Sequence, residues 1–113
     1  MLGPDHRLTL TTRHNLGRFL GEGGRVQEAM AQLRAVLEDR LRLLGPDHPH
    51  TLMTRNNLAS LFGEAGRVDQ AIAQFEALLN DHLRVLGPDH PETLKTRKNL
   101  ARWLGVVGEV QVR

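Results

Sequence analysis

The sequence predicts an all-α fold, an array of antiparallel helix pairs, and three observations carry that reading. Leu-Gly-Pro-Asp-His begins at Leu2, Leu44 and Leu86, a spacing of 42 residues. At that offset residues 2–43 and 44–85 agree at 24 of 42 positions, and 44–65 and 86–107 at 14 of 22, which marks one supersecondary unit stacked repeatedly. Between these signals apolar residues recur at spacings of three and four, on both sides of a short glycine-bearing turn.

In the first unit the spacing predicts helix A near Leu8 to Leu20, a turn at Gly21-Glu22-Gly23-Gly24-Arg25, and helix B from Val26 to about Leu43. The central unit is clearer. Leu52, Leu58, Ala59, Leu61 and Phe62 give helix A one apolar face over about Pro49 to Phe62. Pro49 suits a first helical position, where its missing N–H costs nothing, and Asp47 or His48 stands where a cap belongs. Gly63-Glu64-Ala65-Gly66-Arg67 breaks the pattern, since glycine can end a helix in the left-handed conformation. Val68, Ala71, Ile72, Phe75, Leu78, Leu79, Leu83 and Leu86 then predict helix B, which stops at Gly87-Pro88. The third unit offers helix A from Pro91 to Leu104. Beyond Gly105 the valine-rich tail carries a weak strand signal, and the unit's helix B is missing. About five helices are expected in one domain, residues 1–113, with units 2–43, 44–85 and a partial 86–113.

Composition removes several function classes. The chain has 113 residues, 40% hydrophobic and 25% charged, as expected of a folded soluble domain. Without cysteine there is no disulfide or thiolate chemistry. No apolar run reaches the roughly 20 residues of a membrane span, and no signal-peptide plan opens the chain. No membrane association is expected, and the cytoplasm is the default compartment. Fifteen Lys and Arg against thirteen acids leave a net charge of +2 with no basic tail.

Arg55-x-x-Leu58-Ala59-x-x-Phe62, then Gly66, then Ala71-x-x-x-Phe75, and the matching Leu16, Gly17, Leu20, Gly24, Ala29 and Leu33 follow the tetratricopeptide pattern. Small residues fall where two helices approach most closely, and large ones fill the space around them. The chain departs from the pattern at Arg13, Arg55 and Arg97, where the family has tryptophan, and in its longer period. That length, with Leu-Gly-Pro-Asp-His-Pro-x-Thr-Leu and Arg-x-Asn-Leu-Ala, resembles the units of kinesin light chain, and still more the arrays of actinobacterial NTPase-linked signalling and transcription regulators. The resemblance covers residues 1–105. It implies a right-handed α-solenoid whose A helices line a concave groove for an extended peptide or a helix. The function expected is a noncatalytic protein-interaction scaffold. The alternative is a structural spacer or oligomerisation segment of a larger regulator.

Carried over position by position, the family's groove face falls on Thr11, His14, Asn15 and Arg18, on Met53, Asn56, Asn57 and Ser60, and on Lys95, Lys98, Asn99 and Arg102. Asn15, Asn57 and Asn99 recur in all three units. Their amides can hold the backbone of an extended peptide, or they bond to a neighbouring helix and set the angle between repeats. With no acid at these positions, the groove floor is expected to be positive, suiting an acidic peptide, unless it is an ordinary solvated face. Arg13, Arg55 and Arg97 either stack on the next helix or pair with acids of helix B.

Catalytic, metal and nucleic-acid readings lack parts. His6, His48 and His90 come one per repeat, no H-E-x-x-H occurs, and zinc needs three or four converging ligands. Asp-His dipeptides have no nucleophile beside them, and the Gly-rich segments lack the Walker lysine. Neither a metal nor a cofactor is expected. With three Phe and one Trp, most assigned to packing, base-stacking platforms are missing and nucleic acid is not expected as a partner. The missing helix B is expected to leave Leu100, Trp103 and Leu104 in solvent, with Val106, Val107 and Val110 beyond. Such a patch predicts self-association through the open C-terminal end, as a homo-oligomer.

Overall fold

The computed structural model describes Gly3 and residues 7–112, with side chains described from 9 to 108. Five helices follow one another among the described residues: α1 (Arg7–Glu22), α2 (Val26–Leu44), α3 (Pro49–Glu64), α4 (Val68–Val85) and α5 (Pro91–Val112). None of the described residues is in a strand. Each helix packs on the one before and the one after it, while α1 touches α3 and α3 touches α5 more lightly. The result is a slab of 55 × 33 × 19 Å in which α1, α3 and α5 are the A helices and α2 and α4 the B helices.

Local chemistry sets the boundaries. His48 caps α3: its Nδ1 accepts the backbone N–H of His50 at 3.0 Å, and Pro49 takes the first helical position. His90 accepts from the N–H of Glu92 in the same way, at 3.0 Å. The histidine of the repeated loop therefore does the work that Ser or Asp usually does at a helix start. Gly66 closes the turn between α3 and α4 at φ 85°, a conformation that costs any side-chain-bearing residue more. Its N–H bonds the Gly63 carbonyl at 3.0 Å.

The core runs along the seams between helices. Ala29, Met30 and Leu33 of α2, Leu52, Leu58, Ala59, Leu61 and Phe62 of α3, and Ala71, Phe75 and Leu78 of α4 are buried in one cluster with Trp103 of α5. Truncating a side chain such as Phe75, which is 0% exposed, to alanine costs about 3–5 kcal/mol in sites of this kind. Small residues let helices close in. A Cβ at Gly17 would come within 2.8 Å of the Leu33 side chain, and one at Gly63 would fall inside the indole of Trp103.

Two expectations need correction. Gly105 does not end helix A of the third unit; α5 continues through Gly105 and Gly108 to Val112, and no strand forms there. Glycine permits a left-handed turn, but packing of a following helix selects it, as α4 does after Gly66. Trp103, expected in solvent, is 8% exposed because Gly63 leaves a seat for its ring. Leu100 and Val106 are half-buried against the same core and Val107 is half-buried, whereas Leu104 is exposed as expected, at 49%. Val110 lies outside the described side chains.

Candidate functional site

The A helices carry threonines at 9, 51 and 93 and again at 12, 54 and 96. Thr51, Thr54, Thr93 and Thr96 are completely buried. They hold a polar layer together where each A helix meets the preceding B helix. At one position of that layer α2 has Arg40 and α4 has His82, each about 1% exposed. Arg40 donates to Thr54 Oγ1 at 2.8 Å and to the His50 carbonyl at 3.0 Å, leaving its Nε buried without a partner. His82 Nδ1 lies 2.9 Å from Thr96 Oγ1. Burial lowers the pKa of both groups. Sequence reasoning missed this layer, although threonine recurring in every unit was a usable signal.

From this layer the asparagines reach across repeats. Asn57 Nδ2 donates to His14 Nε2 at 2.9 Å, and Asn99 Nδ2 donates to Asn56 Oδ1 at 3.1 Å. Asn56 Nδ2 in turn reaches Thr96 Oγ1 at 3.2 Å. An amide nitrogen can only donate, so His14 must accept through Nε2 and stay neutral. Its pKa is lowered to about 4, first by burial and then by the charges of Arg40 and Arg18, against a hydrogen bond that the ring donates to Asn15. His14 and Asn56, each 2% exposed, stand inside the polar layer and not on a groove wall. Asn57 and Asn99 are half-buried and Asn15 is exposed.

Arg18, Gly21 and Glu22 of α1 face Asn57, Ser60 and Glu64 of α3 across an open cleft of about 230 Å³, floored by Leu33 and Leu61. The structure thus brings Arg18, Asn57 and Ser60 together. Met53 lies elsewhere, in a mostly apolar cavity of about 200 Å³ with His50, Leu52, His82 and Leu86. Lys95, Lys98 and Arg102 are exposed on α5, with Arg102 stacked 4.9 Å above the Trp103 ring. The groove floor, expected from the sequence to be positive, carries mixed charge at the cleft. Glu22 and Glu64 enter it from the ends of α1 and α3, and Glu22 lies 3.9 Å from Arg18. Positive charge gathers instead on α5.

Outside the cleft, Arg13 bonds Asp39 at 2.7 Å and Arg55 bonds Asp81 at 2.6 Å, so two of the three arginines at the tryptophan position pair with acids of helix B. Asp81 also meets Arg84, which reaches Asp47 of the repeated loop at 2.8 Å. These guanidiniums hold the carboxyls of Asp39, Asp47 and Asp81 below their usual range. Among the described residues no group of three His, Asp or Glu converges as metal ligands, and no helix is long and apolar enough to cross a membrane.

Similar proteins support this architecture. The crystal structure of the nearly identical TPR-like repeats of a protein described as a kinesin light chain, from Podosopora anserina, superposes with a TM-score of 0.81 at 30% identity over 98% of this chain. A single-substitution variant of that protein gives a TM-score of 0.81 at 29% identity, again over 98% of this chain. The chain spans 51% of the length of each. No curated protein sequence matches. The profile of the tetratricopeptide repeat, a unit that generally mediates protein–protein interaction, matches residues 8–80. With the repeated helix pairs and the superposition in agreement, the chain belongs to the tetratricopeptide-repeat family.

Proposed function

We propose that this chain is a noncatalytic, cytoplasmic protein-interaction scaffold that holds an extended peptide or a helix along the face formed by α1, α3 and α5. The observation that carries the reading is the cleft between α1 and α3, where Arg18, Asn57, Ser60 and two carboxylates surround an apolar floor. A few placed polar groups over apolar side chains suit a peptide backbone with one anchoring side chain. Charge sets the direction. An acidic stretch of the ligand belongs beside Lys95, Lys98 and Arg102, and a neutral or basic residue beside Glu22 and Glu64. Rigid helices hold these groups in advance, so most ordering entropy falls on the partner segment. On this reading the chain is one domain of three repeat units, and the alternative is that it serves as a spacer or oligomerisation segment of a larger regulator of the kind its sequence resembles.

The test is selection from a displayed random-peptide library, run on this chain beside Ser60→Arg. That substitution fills the cleft and leaves the asparagine bonds between repeats intact. Enrichment of one motif, lost in Ser60→Arg while the helical content is unchanged, supports the groove. Enrichment that Ser60→Arg retains, or none at all, removes the groove reading and leaves the spacer.

A further inference from the structure

The second B helix departs from the first at one buried position, and a cavity lies beside the difference. Arg40 runs from α2 to two acceptors at the start of α3, Thr54 Oγ1 and the His50 carbonyl. Forty-two residues on, α4 has His82, whose shorter side chain stops at Thr96 Oγ1. Its ring lines the cavity of about 200 Å³ together with Leu52 and Met53 of α3, Leu86 at the end of α4, and Glu92 of α5. The hydrogen-bond chain fixes which ring nitrogen carries the proton. Asn99 Nδ2 donates to Asn56 Oδ1, and Asn56 Nδ2 donates to Thr96 Oγ1. Thr96 has one hydroxyl hydrogen, and His82 Nδ1, at 2.9 Å, accepts it. In the neutral ring that burial favours, the hydrogen of the imidazole then sits on Nε2. Among the described residues nothing accepts from Nε2. An N–H donor on a side chain only 1% exposed is thus left without a partner on the wall of an apolar cavity, which is costly.

We propose that this cavity binds a small uncharged molecule, a single apolar ring bearing one carbonyl or hydroxyl oxygen, and that His82 Nε2 donates to that oxygen. Size and polarity select the class. A dry cavity of about 150 Å³ takes a benzene ring, so this one has room for a ring with two or three further heavy atoms. Leu52, Met53 and Leu86 give the ring its apolar contacts, and Glu92 turns away an anion. Water can supply the oxygen but covers none of the apolar wall. The site is separate from the cleft between α1 and α3 and needs no peptide in that cleft. Its walls are also internal to the array. Helix α4 packs on α3 and α5 but on neither α1 nor α2, so a further helix pair stacked on α5 by the same plan would rest on α5 and leave the walls from α3 and α4 as they are.

The probe is acetophenone, set beside isopropenylbenzene, which has the same shape with a methylene in place of the oxygen. Each is titrated by NMR against the whole 113-residue chain at pH 7. Met53 lines the cavity and Met30 of the core does not, so acetophenone is expected to move the Met53 methyl saturably and leave Met30 in place. Ring-nitrogen spectra should show the His82 proton on Nε2 before ligand is added, and an Nε2 resonance that acetophenone shifts and isopropenylbenzene does not. His82→Arg copies Arg40 and its two acceptors, fills the cavity and abolishes binding. Leu86→Trp fills the same space from the end of α4 and stands in if His82→Arg does not fold, as judged by circular dichroism. A proton found on Nδ1, no saturable shift of Met53 in the folded chain, an Nε2 resonance that both probes move alike, or binding retained in a folded variant with the cavity filled would each overturn the proposal.

Discussion

Asn57 and His14 are joined across two repeats by a hydrogen bond of 2.9 Å in which the imidazole must accept. The bond therefore requires a neutral ring, and the groups around His14 keep it neutral. Burial comes first, then Arg40 of α2, Arg18 of α1 and His50 of α3, all disfavouring a proton. Folded, the group titrates at about 4; unfolded, at its ordinary 6.5. Between those values the unfolded chain binds the extra proton, so stability is complete above pH 6.5 and falls as pH drops toward 4. The loss from this group is on the order of 3 kcal/mol. His82, also lowered by burial, adds in the same direction. His14→Gln keeps an acceptor for Asn57 and cannot titrate. Urea unfolding at pH 7 and pH 4.5 should show a markedly smaller pH loss in His14→Gln; an unchanged loss would assign the effect to other groups.

Arg40 is the natural second target. A buried guanidinium with an unpartnered Nε is an inefficient way to fill a position that α4 fills with His82. Arg40→His is expected to adopt the bond that His82 makes to Thr96, using Thr54 instead. At pH 7 the stability should stay within about 1 kcal/mol of the parent or rise, because the desolvation of a permanent cation disappears. The pKa of His14 should move up toward its ordinary value, though not reach it, since burial is its larger cause. Ring-proton NMR titration reads this directly, and an unmoved His14 would remove Arg40 from the account.

The paired arginines are expected to matter less than their geometry suggests. Arg55 and Asp81 meet at 2.6 Å, but the Asp81 side chain is 33% exposed and is shared with Arg84. A double-mutant cycle on Arg55→Ala and Asp81→Ala should give about 0.2–1 kcal/mol of coupling, as such partly exposed pairs do. The coupling should shrink in 1 M salt. A larger, salt-independent value would mean that the pair is effectively buried.

These residues also show what could be read before folding and what could not. The period, helix order and pairing of Arg13 and Arg55 with helix B acids were legible because a repeat puts the same chemistry at the same offset each time. The burial of His14 and Asn56 was not. A helical face assigned by analogy to a groove takes no account of the angle at which the next helix crosses it, and that crossing covers Asn56 with Thr96 and Asn99. The seat of Trp103 was illegible for a related reason: its cause is Gly63, 40 residues away, whose importance lies in lacking a side chain. The cleft's mixed charge escaped notice because Glu22 and Glu64 stand at helix ends, beyond the positions that the family pattern marks.

One substitution made at two equivalent glycines should have opposite effects. Gly63 and Gly105 occupy the same position of successive A helices, both inside helical segments. Alanine there favours the helix by about 0.5–1 kcal/mol, through the lost backbone freedom of the unfolded chain. At Gly105 nothing lies within 4 Å of the added methyl, so Gly105→Ala should stabilise the protein by about that amount. At Gly63 the methyl enters the space of the Trp103 indole, which is rigid and buried in the core cluster. The ring must leave or the helices must part, and Gly63→Ala should destabilise by about 1–3 kcal/mol. Trp103 is the single tryptophan, so its emission reports the outcome. A red shift in Gly63→Ala, with none in Gly105→Ala, is expected. Equal stabilisation of both variants would mean that the indole does not rest on Gly63, and the account of how α5 closes on α3 would fall with it.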